Sequence, residues 1–357
     1  MRILYGVQGT GNGHITRARV MLPALQALGC TVDFVFSGRA RDAYFDMVPF
    51  GRYRCFKGFT FANRQGAVQW GQTLWQADMA AFYRDVQALN VRDYDLVLTD
   101  FEPVSAWAAK RQGVPAVGLA HQYALRHRIP GTARAPWLGL CLHTFAPAPV
   151  QLGVHWADFD APILPPLIAA SHHTATTDEG FVLVYLPFEN PDFIRHWLKQ
   201  LPQQRFVVYA AVRQTVTDKN LTIKPLNRTT FPVDLAACSG VVCNSGFGLC
   251  SEAMVLGKKI LTRPQRRQIE QGSNAQILQQ LGRATVMKQF DHAVLKPWLA
   301  QAAPPKAEFP DVATAVAQWL VAGRHHNSHA LVADLWQQSR HVALADTEPA
   351  AVIQNWV

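Results

Sequence analysis

Short apolar runs recur along this chain and are separated by amphipathic stretches or by clusters of glycine and polar residues. Apolar runs of this length, bounded by turn residues, are typical of strands buried inside a parallel sheet. The stretches between them have helical spacing. The first such stretch places on one helical face the residues Ile15, Ala18, Leu22, Leu25 and Leu28. The pattern therefore predicts an α/β protein. The predicted strands are residues 2–7, 31–36, 95–99, 113–119, 181–186, 206–209, 240–243 and 259–262.

A change of composition near the middle of the chain predicts a boundary between two domains. The apolar run Ile163–Leu167 is followed by a polar run from Ser171 to Gly180, and such polar stretches are typical of linkers. A chain of 357 residues is long enough for two domains. We therefore predict a first domain over residues 1–165 and a second over residues 166–330.

The charge of the chain indicates anionic partners. Its formal net charge is +9 and its pI is about 9.4, which favours nucleotide phosphates, an anionic membrane surface or nucleic acid. No run rich in Lys and Arg stands out, so we expect no nucleic acid partner. Six cysteines without a C-x-x-C pair are typical of the reduced thiols of a cytosolic protein.

The apolar stretches of the sequence are too short or too interrupted to cross a membrane. Residues 136–153 come nearest, but prolines interrupt them. We therefore expect a cytoplasmic protein, with peripheral contact to an anionic membrane, at the inner face of the cytoplasmic membrane, left open. The candidates for contact with a lipid acceptor, or alternatively for core packing, are Phe56, Phe59, Phe61, Trp70 and Trp75.

A glycine-rich turn follows the first predicted strand. The run Gly9–Gly13 leads to His14 and the first predicted helix. Its spacing is not G-x-G-x-x-G and no G-K-[ST] follows, so a P-loop is not predicted, and Asp33 inside the next strand disfavours a dehydrogenase. A histidine at such a turn is a candidate general base. The alternative is a histidine at a helix start without a chemical role.

Two further strands end in candidate polar residues. Asp100 and Glu102 follow one buried strand, and His121 follows the next. Because the carboxyl ends of parallel strands lie at one edge of a sheet, we expect these side chains on the same edge as His14. Asp100 either orients His14 or an acceptor hydroxyl, or is the N-cap of the following helix.

A second turn of small residues lies in the other half of the chain. Residues Asn244–Gly248 open a helix that carries Glu252, and a short strand, the pair Glu270–Gln271 and a helix from Ser273 follow. Unpaired amides at a helix N-terminus and the helix dipole favour phosphate oxygens. A carboxylate one turn later can accept two hydrogen bonds from a ribose diol. The alternative is an ordinary turn followed by a solvated glutamate.

The run from Asn244 to Ala275 resembles the donor-binding segment of glycosyltransferases with the GT-B fold. It is most similar to the peptidoglycan UDP-N-acetylglucosamine transferases (MurG-type), and Gly11–His14 resembles the amino-terminal loop of those enzymes. The resemblance implies two doubly wound, Rossmann-like α/β domains that face a cleft, the first on the acceptor side and the second binding the donor. It also implies that residues 331–357 form a C-terminal helix that packs back on the first domain.

The resemblance implies a role for each matching residue. His14 would be the general base. Asp100 is the second catalytic candidate, because of its predicted place at a strand end on the same edge of the sheet. The residues implied to hold the donor diphosphate are Ser245, Gly246, Phe247 and Gly248. Those implied to bind the ribose, or to contact or approach the donor sugar, are Glu252, Glu270, Gln271 and Asn274. Those implied to form the loop that faces the acceptor are Gly11, Asn12 and Gly13.

The activity that the resemblance implies is transfer of a sugar from a nucleotide-sugar donor, such as UDP-N-acetylglucosamine, to a hydroxyl acceptor, such as a lipid-linked or cell-envelope glycan. No metal or other cofactor is expected, because backbone amides and helix dipoles stabilise the leaving diphosphate. The D-x-D motif at Asp158–Asp160 is interpreted as linker. The pair Glu270–Gln271 departs from the Gln-Gln pair of the peptidoglycan enzymes, which leaves the donor sugar open.

Two alternatives from other classes remain. One is a non-hydrolysing UDP-N-acetylglucosamine epimerase, an isomerase that shares the two-domain fold and binds the same donor. The other is a nucleotide-sugar-binding protein without catalytic activity. Conversion of the donor without an acceptor distinguishes the first from a transferase, and turnover above background excludes the second.

Overall fold

A computed structural model of the chain describes residues 1–44, 46–58, 63–64, 67–68, 78–132, 137–169, 176–323 and 327–342. The candidate lipid contacts at Phe59, Phe61, Trp70 and Trp75 lie outside the described residues. The same is true of residues 171–175 in the predicted linker and of residues 343–357 in the predicted C-terminal helix.

The described residues divide into two compact units. Unit 1 comprises Met1–Ala62, Gln69–Ile168 and Phe309–Ser339, and unit 2 comprises Asn63–Val68, Ala169–Glu308 and the residues from Arg340 onward. The second predicted domain ended at residue 330, whereas the chain returns to unit 1 at Phe309.

Unit 1 contains a seven-stranded sheet in which all neighbouring strands are parallel, in the order β3-β2-β1-β6-β7-β8-β9. The strands of this half of the chain are β1 (Arg2–Gln8), β2 (Thr31–Ser37), β3 (Tyr53–Phe56), β4 (Asn63–Arg64), β5 (Ala67–Val68), β6 (Leu96–Asp100), β7 (Ala116–Ala120), β8 (Val150–Val154) and β9 (Ile163–Leu164), of which β4 and β5 pair only with each other. The α-helices are α1 (Asn12–Ala27), α2 (Met79–Ala88), α3 (Pro103–Gln112), α4 (His121–Ala124) and α5 (Leu138–Phe145). Two 3₁₀ helices lie between β2 and β3, at Arg41–Ala43 and Val48–Phe50.

The apolar patterning explains how unit 1 packs. After Arg2, every residue of β1 is buried, as expected for a central parallel strand, and both α1 and α3 pack on it. The predicted face of α1 is buried at Ile15, Ala18 and Leu22, and the helix continues through Pro23. This packing holds the start of α1 against the carboxyl end of β1.

Unit 2 contains a second seven-stranded sheet, in the order β12-β13-β11-β10-β14-β15-β16, in which only the β12–β13 pair is antiparallel. Its strands are β10 (Phe181–Tyr185), β11 (Arg205–Ala210), β12 (Val216–Asp218), β13 (Leu221–Pro225), β14 (Gly240–Cys243), β15 (Lys259–Thr262) and β16 (Ala284–Val286). Its helices are α6 (Pro191–Lys199), α7 (Thr230–Ala237), α8 (Phe247–Val255), α9 (Ile269–Gln280) and α10 (His292–Leu299).

The chain after unit 2 supplies two more helices to unit 1, α11 (Val312–Val321) and α12 (Ser328–Gln337). α11 packs against α1, and α12 packs against β9. Trp336 on α12 donates a hydrogen bond of 2.7 Å from Nε1 to the carbonyl oxygen of Ile163. Among the described residues, no helix is both long and apolar enough to span a bilayer.

In each sheet, the chain first places strands on one side of its first strand and then crosses over to place the later strands on the other side. In unit 1 this switch lies between β1 and β6, and in unit 2 it lies between β10 and β14. Ligands of open α/β sheets bind outside the carboxyl ends of the strands at such switch points. The fold therefore indicates one candidate site in each unit, formed by the residues that follow these strands.

Candidate functional site

The unit 1 site joins the start of α1 to the end of β6. α1 begins at Asn12, so His14 lies in its first turn, just beyond the carboxyl end of β1. β6 pairs with β1, and Asp100 is its last residue. His14 Nδ1 and Asp100 Oδ1 lie 2.6 Å apart, so the two predicted catalytic residues form a hydrogen bond.

The segment predicted as an acceptor-facing loop is helical over most of its length. Gly11 is the extended N-cap of α1, with φ −126° and ψ 148°, while Asn12 and Gly13 belong to the helix itself. The helix can begin this early because an N-cap residue keeps extended dihedrals while the next residue is already helical. A Cβ at Gly13 would meet no described atom within 4 Å, so packing does not require a glycine there.

Asp100 is fully buried and is held by two partners. Arg17 donates from Nε to Oδ2 at 2.7 Å and from Nη2 to Oδ1 at 2.6 Å. Burial by itself raises the pKa of Asp100, but the positive charge of Arg17, followed by the interaction with His14, outweighs burial, and the pKa lies below its ordinary value. Asp100 therefore remains a carboxylate at neutral pH and accepts a hydrogen bond from the Nδ1 side of His14.

The other polar residues predicted at this edge have structural partners. Glu102 is the N-cap of α3 and accepts hydrogen bonds from two backbone N–H groups of that helix, so the alternative that Asp100 caps α3 is wrong. His121 is buried, and its Nδ1 lies 2.8 Å from the carbonyl oxygen of Val154. Of the side chains predicted here, the structure brings His14 and Asp100 together.

The unit 2 site begins with the turn between β14 and α8. Gly246 is the N-cap of α8 and Phe247 its first residue, and in the described part of the chain no side chain caps this helix. Cβ atoms added at Gly246 or Gly248 would meet no described atom within 4 Å. Packing does not require these glycines, and no described side chain caps the N-terminus of the helix. An anion therefore has room to lie close to the backbone amides.

Ser245 supports this turn from inside the unit. Its buried hydroxyl lies 2.8 Å from Thr262 Oγ1, and its carbonyl oxygen accepts a hydrogen bond of 2.9 Å from Asn274 Nδ2. Asn274 is also fully buried, and its Oδ1 has no hydrogen-bond partner among the described residues. Both side chains thus hold the turn in place from inside the unit.

Glu252 lies in the second turn of α8 and is partly buried. Burial raises its pKa to about 7, against the opposing positive charge of Arg228. At neutral pH the side chain is therefore divided between its protonated and ionised forms. Arg228 precedes α7, and no local sequence pattern connects it to Glu252.

The helix that carries Glu270 and Gln271 begins earlier than the sequence predicted. α9 starts at Ile269, because the side chain of Gln268 caps it by accepting a hydrogen bond from the backbone N–H of Gln271. Glu270 and Gln271 therefore lie in the first helical turn rather than in a loop. Gln271 Oε1 accepts a hydrogen bond of 2.8 Å from the backbone N–H of Gln265, so this side chain holds the preceding segment in place.

A cavity of about 530 Å³, which sequence reasoning missed, lies in unit 2 beside Arg263. Arg263, directly after β15, forms an ion pair with Glu189, which follows β10, and its guanidinium lies 4.7 Å from the ring centre of Phe290. Asn244 Nδ2 donates a hydrogen bond of 2.9 Å to the carbonyl oxygen of Arg263. The lining residues are Phe188, Glu189, Asn190, Phe193, Arg263 and Phe290.

Within the described ranges, no group of three or more His, Cys, Asp or Glu side chains is placed to hold a metal ion. The D-x-D motif lies in unit 1 between β8 and β9, where Phe159 and Asp160 have positive φ angles of 50° and 54°. Left-handed dihedrals at two successive residues are typical of a tight turn.

Solved glycosyltransferase structures share this architecture. The glycotransferase of kitacinnamycin has a TM-score of 0.58 and 14% identity, covering 94% of this chain and 98% of that chain. LpCGTa, solved in complex with UDP, has a TM-score of 0.58 and 13% identity, and the match covers 94% of this chain and 98% of LpCGTa. VinC, solved in complex with dTDP, has a TM-score of 0.51 and 15% identity, and the match covers 94% of this chain and 99% of VinC. The likeness confirms the predicted fold class: two parallel-sheet α/β domains of the GT-B type.

The model of Glycosyl transferase family 1 matches residues 1–133 and 144–303, which is most of the chain. This protein belongs to that family and is therefore a glycosyltransferase enzyme of the GT-B type. No curated protein matches the sequence.

Proposed function

We propose that this glycosyltransferase moves a sugar from a nucleotide-sugar donor to a hydroxyl group of an acceptor. The observation that carries the proposal is the 2.6 Å pair between His14 and the buried carboxylate of Asp100. A histidine held in this way can accept the proton of an acceptor hydroxyl group while the hydroxyl oxygen attacks the donor sugar. The uncapped turn at Ser245–Gly248, with Glu252 one turn further on, supports donor binding in unit 2.

The proposed reaction needs one base and one stabilised leaving group. The Nδ1–H group of His14 donates a hydrogen bond to Asp100, which leaves Nε2 to accept the proton of the acceptor hydroxyl. The hydroxyl oxygen forms a bond to the anomeric carbon, and the bond from that carbon to the diphosphate oxygen breaks with its electron pair on the diphosphate. The amides and dipole at the start of α8 stabilise the new charge, so the proposal includes no metal or other cofactor.

A UDP-sugar such as UDP-N-acetylglucosamine is the proposed donor. The likeness of residues 244–275 to the peptidoglycan transferases supports it, as does the presence of UDP in the structure of LpCGTa. The presence of dTDP in the structure of VinC supports a nucleoside diphosphate more generally. The same likeness favours a hydroxyl of a lipid-linked or cell-envelope glycan as acceptor. Glu270, which replaces a glutamine, is the residue expected to alter the choice of sugar. The net charge of +9 supports peripheral contact with an anionic membrane. The six cysteines without a C-x-x-C pair support a cytoplasmic location.

Nucleotide binding should depend on Glu252. We expect UDP or a UDP-sugar at about 100 times its Kd to raise the Tm by about 5 °C or more. In Glu252→Ala the affinity should fall by about 10- to 100-fold, because hydrogen bonds to a charged group are lost, and most of the shift should disappear. A thermal-shift screen with UDP, dTDP, GDP and their sugars measures both effects.

The matched control for this screen is Glu179→Ala, which changes an exposed glutamate of the same unit and should keep the full shift. Absence of a shift with every nucleotide would contradict the proposed donor. Epimerisation of UDP-N-acetylglucosamine without an acceptor would favour the isomerase instead.

Donor binding should also strengthen as the pH rises through 7. The pKa of Glu252 is raised by burial to about 7, so the carboxyl group of the free protein is protonated at lower pH. It has to lose that proton before it can accept two hydrogen bonds from a ribose diol. Protons are released on binding, and the Kd should therefore increase by up to about tenfold per pH unit below 7. Calorimetric titration with an intact nucleotide sugar between pH 5.5 and 8.5 measures this dependence.

The variant Glu252→Gln lacks the titrating group and should bind the nucleotide sugar with an affinity that changes little over this range. A wild-type Kd that stays constant from pH 5.5 to 8.5 would show that Glu252 does not accept hydrogen bonds from the donor as a carboxylate.

A further inference from the structure

A buried arginine lies beside the proposed base in unit 1. Arg17 is one helical turn after His14 on α1, so both side chains project from the same face of the helix. Arg17 is buried, and its two hydrogen bonds to Asp100, of 2.7 Å and 2.6 Å, reach both oxygens of that carboxylate. Its Nη2 also lies 3.3 Å from His14 Nδ1.

We propose that Arg17 is a positioning residue for the transfer reaction: its two-pronged contact fixes Asp100 so that Oδ1 faces His14 Nδ1 and leaves His14 Nε2 for the acceptor hydroxyl. This inference rests on the proposed function, because it assigns a task to Arg17 only if His14 is the base. Arg17 itself contacts neither the acceptor nor the donor in this scheme.

The orientation of Asp100 requires the two N–H donors that a planar guanidinium group provides side by side (a fork of donors). A carboxylate can rotate about its Cβ–Cγ bond, and a single hydrogen bond would leave that rotation possible. Two parallel N–H···O bonds from one planar group fix the carboxylate plane. With the plane fixed in this way, Asp100 Oδ1, which accepts from Arg17 Nη2, is also the oxygen that meets His14 Nδ1.

Arg17 also determines where the transferred proton stays. The pair of Arg17 and Asp100 carries no net charge, so the buried carboxylate is compensated without a proton of its own. The pKa of Asp100 is lowered accordingly, despite its burial. When the acceptor O–H bond breaks and the Nε2–H bond of His14 forms, the proton remains on the imidazole ring, and Asp100 only orients that ring.

The variant Arg17→Lys tests the proposal, because lysine keeps the charge but lacks the fork. We expect kcat for release of UDP from the donor found in the thermal-shift screen to fall by about 10- to 100-fold, with KM for that donor unchanged. Arg19→Lys is the matched control: Arg19 lies on the same helix but pairs with Asp46, and its replacement should leave kcat unchanged.

A second measurement on the same variant does not depend on turnover. In protein labelled with ¹⁵N-histidine, the ring shifts of His14 report which nitrogen carries the hydrogen. The wild type should show one tautomer, with hydrogen on Nδ1, and Arg17→Lys should show a mixture. A single unchanged tautomer in Arg17→Lys together with an unchanged kcat would overturn the proposal. An altered tautomer with no effect of His14→Ala on turnover would instead contradict the proposed function.

If Arg17→Lys does not fold, the cavity variant Arg17→Ala is tested with added guanidinium ion. Return of kcat towards the wild-type value with guanidinium, but not with ammonium at the same ionic strength, supports the positioning role. Folded Arg17→Ala with wild-type kcat, or with a reduced kcat that guanidinium does not raise, overturns it.

Discussion

Replacing His14 with alanine should lower kcat by about 10²- to 10⁴-fold, the usual contribution of a general base. The reason is that His14, held 2.6 Å from Asp100, is the group at the unit 1 switch point that can accept the proton of an acceptor hydroxyl. Nucleotide binding in unit 2 should be unchanged, because Glu252 and the turn before α8 are intact. Single-turnover transfer or donor hydrolysis, together with the nucleotide thermal shift, measures the two effects separately.

The control for this variant is His196→Ala, which removes an exposed histidine from α6 and should keep wild-type kcat. Full turnover of His14→Ala with its nucleotide shift retained would remove His14 from the mechanism. Loss of the nucleotide shift as well would indicate a folding defect rather than a missing base.

Replacing Trp298 with alanine should destabilise unit 2 by about 3–5 kcal/mol, the range for large aromatic residues in a core. Trp298 on α10 is buried in the core cluster that includes Trp197 and Met287. A Cβ added at Gly240 on β14 would lie 2.9 Å from the Trp298 ring, so the ring packs directly on the strand that leads into the Ser245 turn. Urea unfolding followed by tryptophan fluorescence and circular dichroism measures the loss.

The matched control is Trp137→Ala, which removes a tryptophan that is 51% exposed and should change the free energy of unfolding by less than about 0.5 kcal/mol. If Trp298→Ala were no less stable than Trp137→Ala, the packing described for this core would be wrong. Because the Ser245 turn depends on β14, we also expect the nucleotide shift of Trp298→Ala to disappear at temperatures where unit 2 unfolds.

The elements that the sequence predicted best are those whose signal is local. The strands at residues 240–243 and 259–262 are confirmed as β14 and β15 with the same bounds, because both are short apolar runs between turn residues. The buried face of α1 is likewise confirmed from Ile15 to Leu25, since helical spacing is visible in a single stretch of sequence. The prediction is wrong at Leu28, which lies beyond the end of the helix and is exposed.

The elements that were missed carry weaker local signals. β8, at Val150–Val154, lies in a stretch rich in proline and histidine that allowed no assignment. β12 is the edge strand of the sheet of unit 2 and is exposed at two of its three positions. β13 beside it is only partly buried after Leu221 and includes Thr222 and Lys224, so neither strand shows an apolar run. The early start of α9 depends on capping by the Gln268 side chain, and glutamine is not among the usual N-cap residues.

By itself the sequence determined the fold class and the candidate residues of both turns, because strand and helix periodicity and glycine turns are properties of neighbouring residues. Only the tertiary structure decided what each candidate does. From the sequence, Asp100 is equally a helix cap or a partner of His14, and the structure places Glu102 in the cap position and Asp100 beside His14. Arg17 and Asp100 are 83 positions apart in the chain, and contacts between such distant residues arise only when the packed sheet brings the ends of β1 and β6 side by side.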